Sequence, residues 1–306
     1  MKHKILVTGS NGLLGQKIVY ALRNNSSVEC IACSRGPNRI ASKSGYHYVS
    51  VDLTDKEAVM KMMEEHAPHA VIHTAAMTNV DACEGRQEEA WIHNVVAVEQ
   101  LVEACEKSNA HLVHLSTDFV FNGEKGPYIE TDEVDPLSHY AFTKVEAEKR
   151  IMANKKLSWS ILRTIIIYGV VDDNSRSNLV LWVFNALRNQ KSITVINDQF
   201  RSPTLAEDLA DACIAAALKR SHGIYHVSGR EVMNILDIAY IIADYFELDA
   251  SFIKPVSSEE LKQPARRPPV TGFIIDKAMR ELDFQPMSFL DGLSAVKKQL
   301  KLVGAL

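Results

Sequence analysis

Short apolar runs and helical periodicities alternate along the first half of the chain. Strands are predicted where apolar residues cluster, at 5–7, 28–33, 48–51, 70–72, 111–115 and 158–163. Helices are predicted where apolar residues recur at helical spacing, at 13–22, 56–65, 88–107 and 140–152. Because strands that alternate with helices over short connections form parallel sheets, this pattern predicts an α/β fold, a Rossmann-type doubly wound parallel sheet with helices on both faces.

The second half of the chain is less regular and has no linker that would separate two domains. Its patterns predict helices at 179–187, 205–218, 234–246 and about 289–300, and strands at 193–196 and 223–227. The proline-containing stretch 257–269 is expected to be a loop. We therefore expect a sheet domain over residues 1–168, to which 193–232 add, and a smaller interleaved lobe formed mainly by 169–306.

Composition excludes several classes of function. The chain has 306 residues, with 34 Lys and Arg against 38 Asp and Glu, so its formal charge is −4. This mild acidity, without a basic run, argues against nucleic-acid binding. No apolar run approaches the ~20 residues of a membrane span, and the first residues lack the apolar stretch of a signal peptide.

The cysteines indicate the cellular setting. Five cysteines in a chain of this length favour a reducing, cytoplasmic environment over a disulfide scaffold. Cys30 and Cys33 fall within one predicted strand and have no second pair, so we predict no metal site.

A glycine-rich turn follows the first predicted strand and opens a helix. Gly9 permits a tight turn, Gly12 lets the backbone approach a pyrophosphate, and Gly15 lets the helix pack closely on the sheet. Free N–H groups and the helix dipole favour phosphate at this point. The alternative is a tight turn without a ligand. We predict a dinucleotide site formed by Gly9, Ser10, Asn11, Gly12, Leu13 and Leu14.

The end of the second strand bears on which dinucleotide is bound. An acid there would bind the ribose 2′-hydroxyl of NAD, whereas this chain has Ser34 and Arg35. A guanidinium suits a 2′-phosphate, so we expect NADP, as NADPH, with NAD as the alternative; Arg35 could also be an ordinary surface cation. The same cofactor is expected to contact residues after the third and fourth strands, namely Asp52, Leu53, Thr74, Ala75 and Ala76.

A candidate proton-transfer group lies at the start of a predicted helix. Tyr140 and Lys144 are spaced i, i+4, which places the phenol and the ammonium on one helix face. A nearby cation lowers the pKa of a tyrosine and would make Tyr140 an acid or base near neutrality. Thr117, after the fifth strand, could hydrogen-bond the same reacting oxygen. Taken alone, the Tyr–Lys spacing is also typical of a surface helix.

These pieces resemble the extended short-chain dehydrogenase/reductase family. The resemblance is carried by TGSNGLLG, VDLTD, HTAAMTNVDACE, STDFVFNG, YAFTK and LRTIIIYG, in that order. Later segments resemble the dTDP-4-dehydrorhamnose reductases of that family, namely VINDQFRSPT, GIYHVSG and ARRPPVTGFIIDKAMRELDF. The resemblance implies an oxidoreductase that uses NAD(P)H to reduce a 4-keto sugar on a nucleotide. It makes 1–168 the cofactor domain and 169–306 the substrate-binding lobe.

The resemblance also assigns residues. It implies Thr117, Tyr140 and Lys144 as the catalytic set, with Asn94 holding a water in a proton relay. Asp118 is either an assisting acid or a capping residue. Thr164 and Ile165 would pack near the nicotinamide. The expected substrate residues are Thr78 and Asn79 in the crevice, and Arg201, Arg266 and Arg267 for the diphosphate.

Other functions stay open at this point. A dehydratase of the family would carry an acidic pair after Thr117, where this chain has Asp118 and Phe119. An epimerase would favour tightly held NAD, which Arg35 argues against. A binding protein such as the regulatory subunit of methionine adenosyltransferase shares the fold. The family resemblance further suggests a homodimer through the helices 88–107 and 140–152.

Overall fold

The computed structural model describes residues 2–172 and 177–306. Its strands are β1 (His3–Thr8), β2 (Val28–Ser34), β3 (His47–Ser50), β4 (Ala70–His73), β5 (His111–Thr117), β6 (Trp159–Thr164), β7 (Ile167–Tyr168), β8 (Ile193–Ile196), β9 (Phe200–Arg201), β10 (Thr204–Leu205), β11 (Gly223–His226), β12 (Met233–Asn234), β13 (Ile253–Val256) and β14 (Val270–Thr271).

The helices lie between these strands. They are α1 (Leu13–Leu22), α2 (Lys56–His66), α3 (Val80–Gly85), α4 (Gln87–Trp91), α5 (Ala97–Ser108), α6 (His139–Ala153), α7 (Leu179–Arg188), α8 (Ala206–Lys219), α9 (Ile235–Tyr245), α10 (Ser258–Leu261), α11 (Asp276–Glu281) and α12 (Phe289–Leu302). A π-helical turn covers Ile92–Val96, and 3₁₀ turns cover Asp118–Val120 and Ala250–Phe252. None of the helices in the described residues is long and apolar enough to cross a bilayer.

Seven strands form one parallel sheet in the order β11-β6-β5-β4-β1-β2-β3. This confirms the predicted Rossmann-type α/β fold. The strand order reverses between β1 and β4, which leaves a crevice beyond the carboxyl ends of the strands where ligands bind in such sheets. The sheet therefore positions a site at the ends of β1, β2, β4 and β5.

Each face of the sheet buries its own apolar cluster because side chains alternate along each strand. Ile5, Val7 and Ile72 belong to a cluster that includes residues of α1 and α8. Leu6 and Val71 belong to a cluster that includes residues of α2, α5 and α6. Helices on both faces thus cover strands that are mostly apolar, with a few buried polar residues such as His73 and His114 among them.

The later segments divide between the sheet and a smaller lobe. β11 pairs with β6 and extends the large sheet, and α8 packs beside α1 on one face of that sheet. The smaller lobe buries a third apolar cluster to which α7, α9 and α12 contribute Phe184, Ile242 and Leu293. It also contains the parallel pair β8–β13 and the short sheet β12-β9-β14.

The segment 88–107, predicted as one helix, differs in the structure. It is helical throughout, but the π-helical turn Ile92–Val96 separates α4 from α5. Apolar periodicity does not register one inserted residue, so this turn could not be predicted from the sequence pattern. Such turns occur often at functional sites, and this one carries Asn94.

Candidate functional site

A cleft of about 750 Å³ opens at the carboxyl edge of the large sheet. It brings together most of the predicted site residues: Gly9, Asn11, Gly12, Leu13, Leu14, Ser34, Arg35, Asp52, Leu53, Thr74, Ala75, Ala76, Thr78, Thr117, Asp118, Tyr140, Lys144 and Thr164. The other predicted residues do not line it: Ser10, Asn79, Asn94, Ile165, Arg201, Arg266 and Arg267.

The glycine turn after β1 has the geometry of an anion site. Gly9 has a φ of +68°, and a Cβ on Gly15 would lie 2.3 Å from the Gly9 carbonyl oxygen, so the turn and the helix pack without side chains. Gly12 precedes α1, whose N-terminus has neither a side-chain cap nor an acidic residue in its first turn. Its free N–H groups and positive dipole end therefore face the cleft, as a phosphate requires.

Asn11 and Ser34 hold this turn against the loop after β2. Asn11 Oδ1 accepts a hydrogen bond from the Arg39 backbone at 2.8 Å, and its Nδ2 donates to the Pro37 carbonyl at 2.9 Å. The Asn11 backbone donates to Ser34 Oγ at 3.2 Å. Both residues thus position the backbone of the site.

Charged side chains stand at the outer end of the same cleft. The Arg35 guanidinium lies 3.5 Å from the Asp52 carboxylate, and the Arg35 side chain is 70% exposed. Arg39 also lines the cleft. This end therefore offers two guanidinium groups and one carboxylate to a ligand.

Tyr140 lies in the first turn of α6. Ser138 caps this helix by accepting from the Ala141 backbone, and Tyr140 is only 9% exposed. Burial, followed by the charge of Asp118, raises the pKa of Tyr140 above its ordinary value, and a hydrogen bond with Thr117 opposes this only in part. The predicted lowering of the pKa of Tyr140 by Lys144 is therefore wrong for this structure. Tyr140 is a neutral phenol that can donate a proton.

The Lys144 ammonium makes its hydrogen bonds with two residues of β5. Its Nζ donates to the Leu115 carbonyl at 2.7 Å and lies 3.1 Å from His114 Nε2. Burial lowers the pKa of Lys144 to about 8, while the charge of Glu148 raises it. Lys144 therefore carries most of its positive charge at neutral pH, at the floor of the cleft.

Thr117 and Asp118 form one unit at the end of β5. The Thr117 hydroxyl donates to Asp118 Oδ1 at 3.0 Å and accepts from the Phe119 backbone at 3.2 Å. Thr271 donates to the other Asp118 oxygen. Asp118 is fully enclosed, and burial raises its pKa, although the charge of Arg201 and these hydrogen bonds oppose the shift. Asp118 thus orients Thr117 beside the phenol.

The Asn94 side chain makes structural hydrogen bonds and leaves no amide donor for a water. Its Oδ1 accepts from the Met77 backbone at 2.8 Å, and its Nδ2 donates to the Met77 carbonyl and to Thr143 Oγ1 at 3.1 and 3.0 Å. Asn94 is 1% exposed, so both amide donors are used inside the protein. It ties the loop after β4 to α6. The expectation of a side-chain water site is corrected accordingly.

Arg201 does not reach the cleft. It is 1% exposed, and its guanidinium donates to the carbonyls of Phe200, Pro268 and Pro269 and to Gln199 Oε1. Its Nε lies 3.7 Å from Asp118. The predicted role of Arg201 in gripping a phosphate is therefore replaced by a structural one, since its donors are consumed.

Three more of the predicted substrate residues lie outside the cleft, whereas Thr78 lines it. Arg267 makes a two-point contact with Asp81, at 3.1 and 2.8 Å, which fastens the loop before β14 to α3. Asn79 caps α3 by accepting from the Ala82 backbone at 2.9 Å. Arg266 is exposed.

Two of the predicted cofactor residues, Ile165 and Ser10, are buried and do not line the cleft. Ile165 is fully buried, and its neighbours Ile166 and Ile167 line the cleft instead. Ile166 has a φ of +29°, a rare conformation for a β-branched residue, and alternation along β6 could not foresee it. Ser10 is fully buried beneath the glycine turn.

Several lining residues were not identified from the sequence. Met77 and Val80 flank Thr78, so the rule that selected Thr78 at a strand end would also have selected them. Phe119 lies edge-on to Tyr140, with ring centroids 6.3 Å apart. His93 lines the cleft from the π-helical turn, which no periodicity reveals.

Comparison with known proteins agrees with this architecture. The family described as "RmlD substrate binding domain" matches residues 2–302. Methionine adenosyltransferase 2 subunit beta of Xenopus tropicalis is 32% identical over 84% of this chain and 76% of its own length. The structure of a dTDP-4-dehydrorhamnose reductase from Clostridium acetobutylicum has a TM-score of 0.84 at 30% identity, covering 97% of this chain and 99% of that one. The reductase of Bacillus anthracis in complex with NADP has a TM-score of 0.83 at 26% identity, covering 98% and 100%.

Proposed function

The chain belongs to the RmlD substrate-binding-domain family, within the extended short-chain dehydrogenases/reductases, and we propose that it reduces the 4-keto group of a sugar nucleotide with NADPH. One observation carries this proposal. Thr117, Tyr140 and Lys144 line the same cleft as the uncapped glycine turn before α1. The acid and the anion site thus share one cavity, as a dinucleotide-dependent reduction requires.

The residues present fit a dinucleotide. Gly12 and Leu13 would hold its pyrophosphate at the helix N-terminus, and Arg35 and Arg39 would meet a 2′-phosphate. Ser116 adds a buried hydroxyl beside the cleft that has no partner among the described residues. The cofactor, when bound, supplies the hydride.

The chain's own groups manage the proton and the charge. Tyr140 donates its proton to the oxygen that becomes the alcohol, and its raised pKa keeps it protonated at neutral pH. Thr117, oriented by Asp118, donates a hydrogen bond to the same oxygen after its hydroxyl rotates. Lys144 contributes positive charge beneath the reacting groups. Met77, Thr78, Val80 and Phe119 enclose the sugar side and exclude water.

The proposal is tested with NADPH and dTDP-4-keto-6-deoxy-L-mannose. We expect NADPH to be consumed in proportion to a dTDP sugar reduced at C4, identified by mass spectrometry and NMR. A product isomerised or dehydrated without net consumption of NADPH would instead indicate an epimerase or a dehydratase. NADPH binding without any turnover would overturn the assigned substrate.

A regulatory role is the second candidate, favoured by the 32% identity to methionine adenosyltransferase 2 subunit beta. In that case the chain would bind a methionine adenosyltransferase catalytic subunit and change its kinetics. Size-exclusion chromatography of the two purified proteins, with and without NADPH, tests this. Co-elution together with absent ketone reduction would favour the regulatory role.

Gly12→Ala separates cofactor binding from folding. The only described atom within 4 Å of the added Cβ, apart from its chain neighbours, is the Gly9 carbonyl oxygen at 3.2 Å, so the fold needs only a small adjustment. The methyl group would stand where the pyrophosphate approaches. We expect the NADPH Kd to rise at least about tenfold, which is about 1.4 kcal/mol. Calorimetric titration measures it, and a thermal melt close to wild type is the control. An unchanged Kd would place the pyrophosphate elsewhere.

Arg35→Ala tests the choice of dinucleotide. A guanidinium that meets a 2′-phosphate contributes to NADPH binding and not to NADH binding. We expect the NADPH Kd to rise about tenfold while the NADH Kd changes by less than about twofold. Lys17→Ala, which removes a cation of α1 paired with Glu207, is the matched control. An equal loss for both dinucleotides would contradict the assignment.

The homodimer and the cytoplasmic setting stay predictions. The exposed faces of α5 and α6 carry ion pairs, among them Glu99–Arg150 at 2.6 Å and Glu103–Lys107 at 2.8 Å. A dimer through these helices would have to bury or rearrange those charges. Light scattering across salt concentrations measures its formation.

A further inference from the structure

A row of buried polar side chains runs across the sheet behind Lys144. Thr8, His73 and His114 occupy neighbouring register positions on β1, β4 and β5. The His73 and His114 rings stack with their centroids 5.3 Å apart, and His73 Nδ1 lies 2.7 Å from Thr8 Oγ1. His114 Nε2 lies 3.1 Å from the Lys144 ammonium. None of the four side chains is more than 3% exposed, so bulk water cannot replace these contacts.

The hydrogen bonds of Lys144 fix the protonation of His114. A lysine ammonium has three donors and no acceptor. One N–H is directed to the Leu115 carbonyl at 2.7 Å and a second to His114 Nε2. Since Nε2 must accept, His114 is a neutral imidazole with its proton on Nδ1. Tetrahedral geometry then leaves one direction for the third N–H of the ammonium. Lys144 itself lines the cleft.

Among the described residues, His114 makes no other side-chain polar contact that would explain an imidazole. Its Nδ1 is buried and has no partner among the described residues. A buried ring nitrogen without a partner is unfavourable compared with an apolar side chain of similar size. The contact with Lys144 is therefore what an apolar residue at position 114 could not provide.

We propose that His114 is a positioning residue for Lys144, whose ammonium it holds at the floor of the cleft and keeps charged. The inference concerns the site of the proposed function, but it does not depend on the substrate. The ammonium persists in this enclosed position because two acceptors, the Leu115 carbonyl and His114 Nε2, stabilise it. The imidazole supplies an acceptor that is neutral, so the charge of Lys144 is solvated without a second buried ion.

The other charged groups around Lys144 are already engaged. Glu148 lies one turn along α6 and raises the pKa of Lys144, yet its carboxylate is shared with Arg163 of β6 at 3.0 and 2.7 Å. His73 of β4 is neutral, because burial and the charge of Lys144 lower its pKa to about 3. Loss of the His114 acceptor would leave Lys144 with one backbone acceptor, so its charged form would be disfavoured.

The test measures the protonation of Lys144 directly, in the full chain without cofactor or substrate. Lysine labelled with carbon-13 at Cε gives a signal that shifts on deprotonation, and its absence in Lys144→Met assigns it. We expect a wild-type midpoint near pH 8. His114→Leu should lower the midpoint by at least about one pH unit, a tenfold change in the equilibrium, whereas His114→Gln, which retains an acceptor oxygen, should stay within about half a unit.

A matched control separates this effect from general damage to β5. His111 lies on the same strand with its ring nitrogens bonded to Ser158 and Ser160 at 2.7 and 2.8 Å, and His111→Leu should leave the Lys144 midpoint unchanged. If His114→Leu does not fold, His114→Asn, with a shorter amide, should lower the midpoint. A folded His114→Leu or His114→Asn variant that titrates like wild type overturns the proposal, as does a Gln variant that shifts as far as Leu. The measurement stands even if the chain reduces no sugar.

Discussion

Tyr140→Phe is expected to lower the rate of ketone reduction by about 10²–10⁴-fold, the usual contribution of a positioned general acid. The phenol is 9% exposed at the cleft, and no other side-chain acid among the described residues is placed beside Thr117 except Asp118. Asp118 already accepts from Thr117 and Thr271, so it cannot simply take over the proton transfer. The rate constant is measured under NADPH saturation, so that binding does not enter.

The same variant has a separate expectation for binding and for pH. The ring stays in its packing with Phe119, so NADPH affinity and thermal stability should remain close to wild type. Because the pKa of Tyr140 is raised, its proton-donating form persists as pH rises through neutrality, and its titration should lower the rate only at strongly alkaline pH. A fall in the wild-type rate near pH 8 would instead report the loss of the Lys144 charge. His139→Ala, at the half-buried residue that precedes Tyr140 in the first turn of α6, is the control. A Phe variant that retains most of the rate would remove Tyr140 from the mechanism.

The sequence could predict the parts of the site that follow from strand ends. The glycine turn, Ser34, Asp52, Thr74 and Thr117 lie at or just after the ends of parallel strands, and the topology alone brings such residues to one edge. These positions were found because a strand end is visible as the end of an apolar run. The i, i+4 spacing singled out Tyr140 and Lys144, the resemblance implied their catalytic role, and the structure places both in the same cleft.

The predictions for Arg201 and Asn94 failed because other groups of the protein already occupy their hydrogen-bond donors. Arg201 has the chemistry of a phosphate ligand, but carbonyls of Phe200, Pro268 and Pro269 surround it. Asn94 has the chemistry of a water ligand, but Met77 and Thr143 occupy its amide donors. Spacing shows which groups exist, whereas only the packed structure shows which are free.

The pKa of Tyr140 illustrates a competition that the sequence cannot resolve. Spacing places a cation four residues away and suggests that the pKa falls. In the structure the ammonium of Lys144 is drawn to the Leu115 carbonyl and His114 instead, and burial of the phenol prevails. The outcome depends on an acceptor thirty residues earlier in the chain, on strand β5.

The largest expected effect on stability comes from a buried ion pair between α6 and β6. Arg163 and Glu148 form two charge-assisted hydrogen bonds, at 3.0 and 2.7 Å, and their side chains are 3% and 2% exposed. Removing one partner leaves an uncompensated buried charge, so we expect Glu148→Met to lower the free energy of unfolding by about 3–5 kcal/mol. Arg163→Met should cost a similar amount, because the carboxylate is then left alone.

The double variant decides whether the loss comes from the stranded charge or from packing. Replacing a buried pair by apolar residues of similar volume is often close to neutral, so Glu148→Met with Arg163→Met should recover most of the stability lost by either single variant. Denaturant titration of the four proteins gives the coupling between the two sites. Losses that simply add in the double variant would show that the charges are not coupled. Because the charge of Glu148 also raises the pKa of Lys144, Glu148→Met should in addition lower the titration midpoint of Lys144, which links this ion pair of the scaffold to the floor of the cleft.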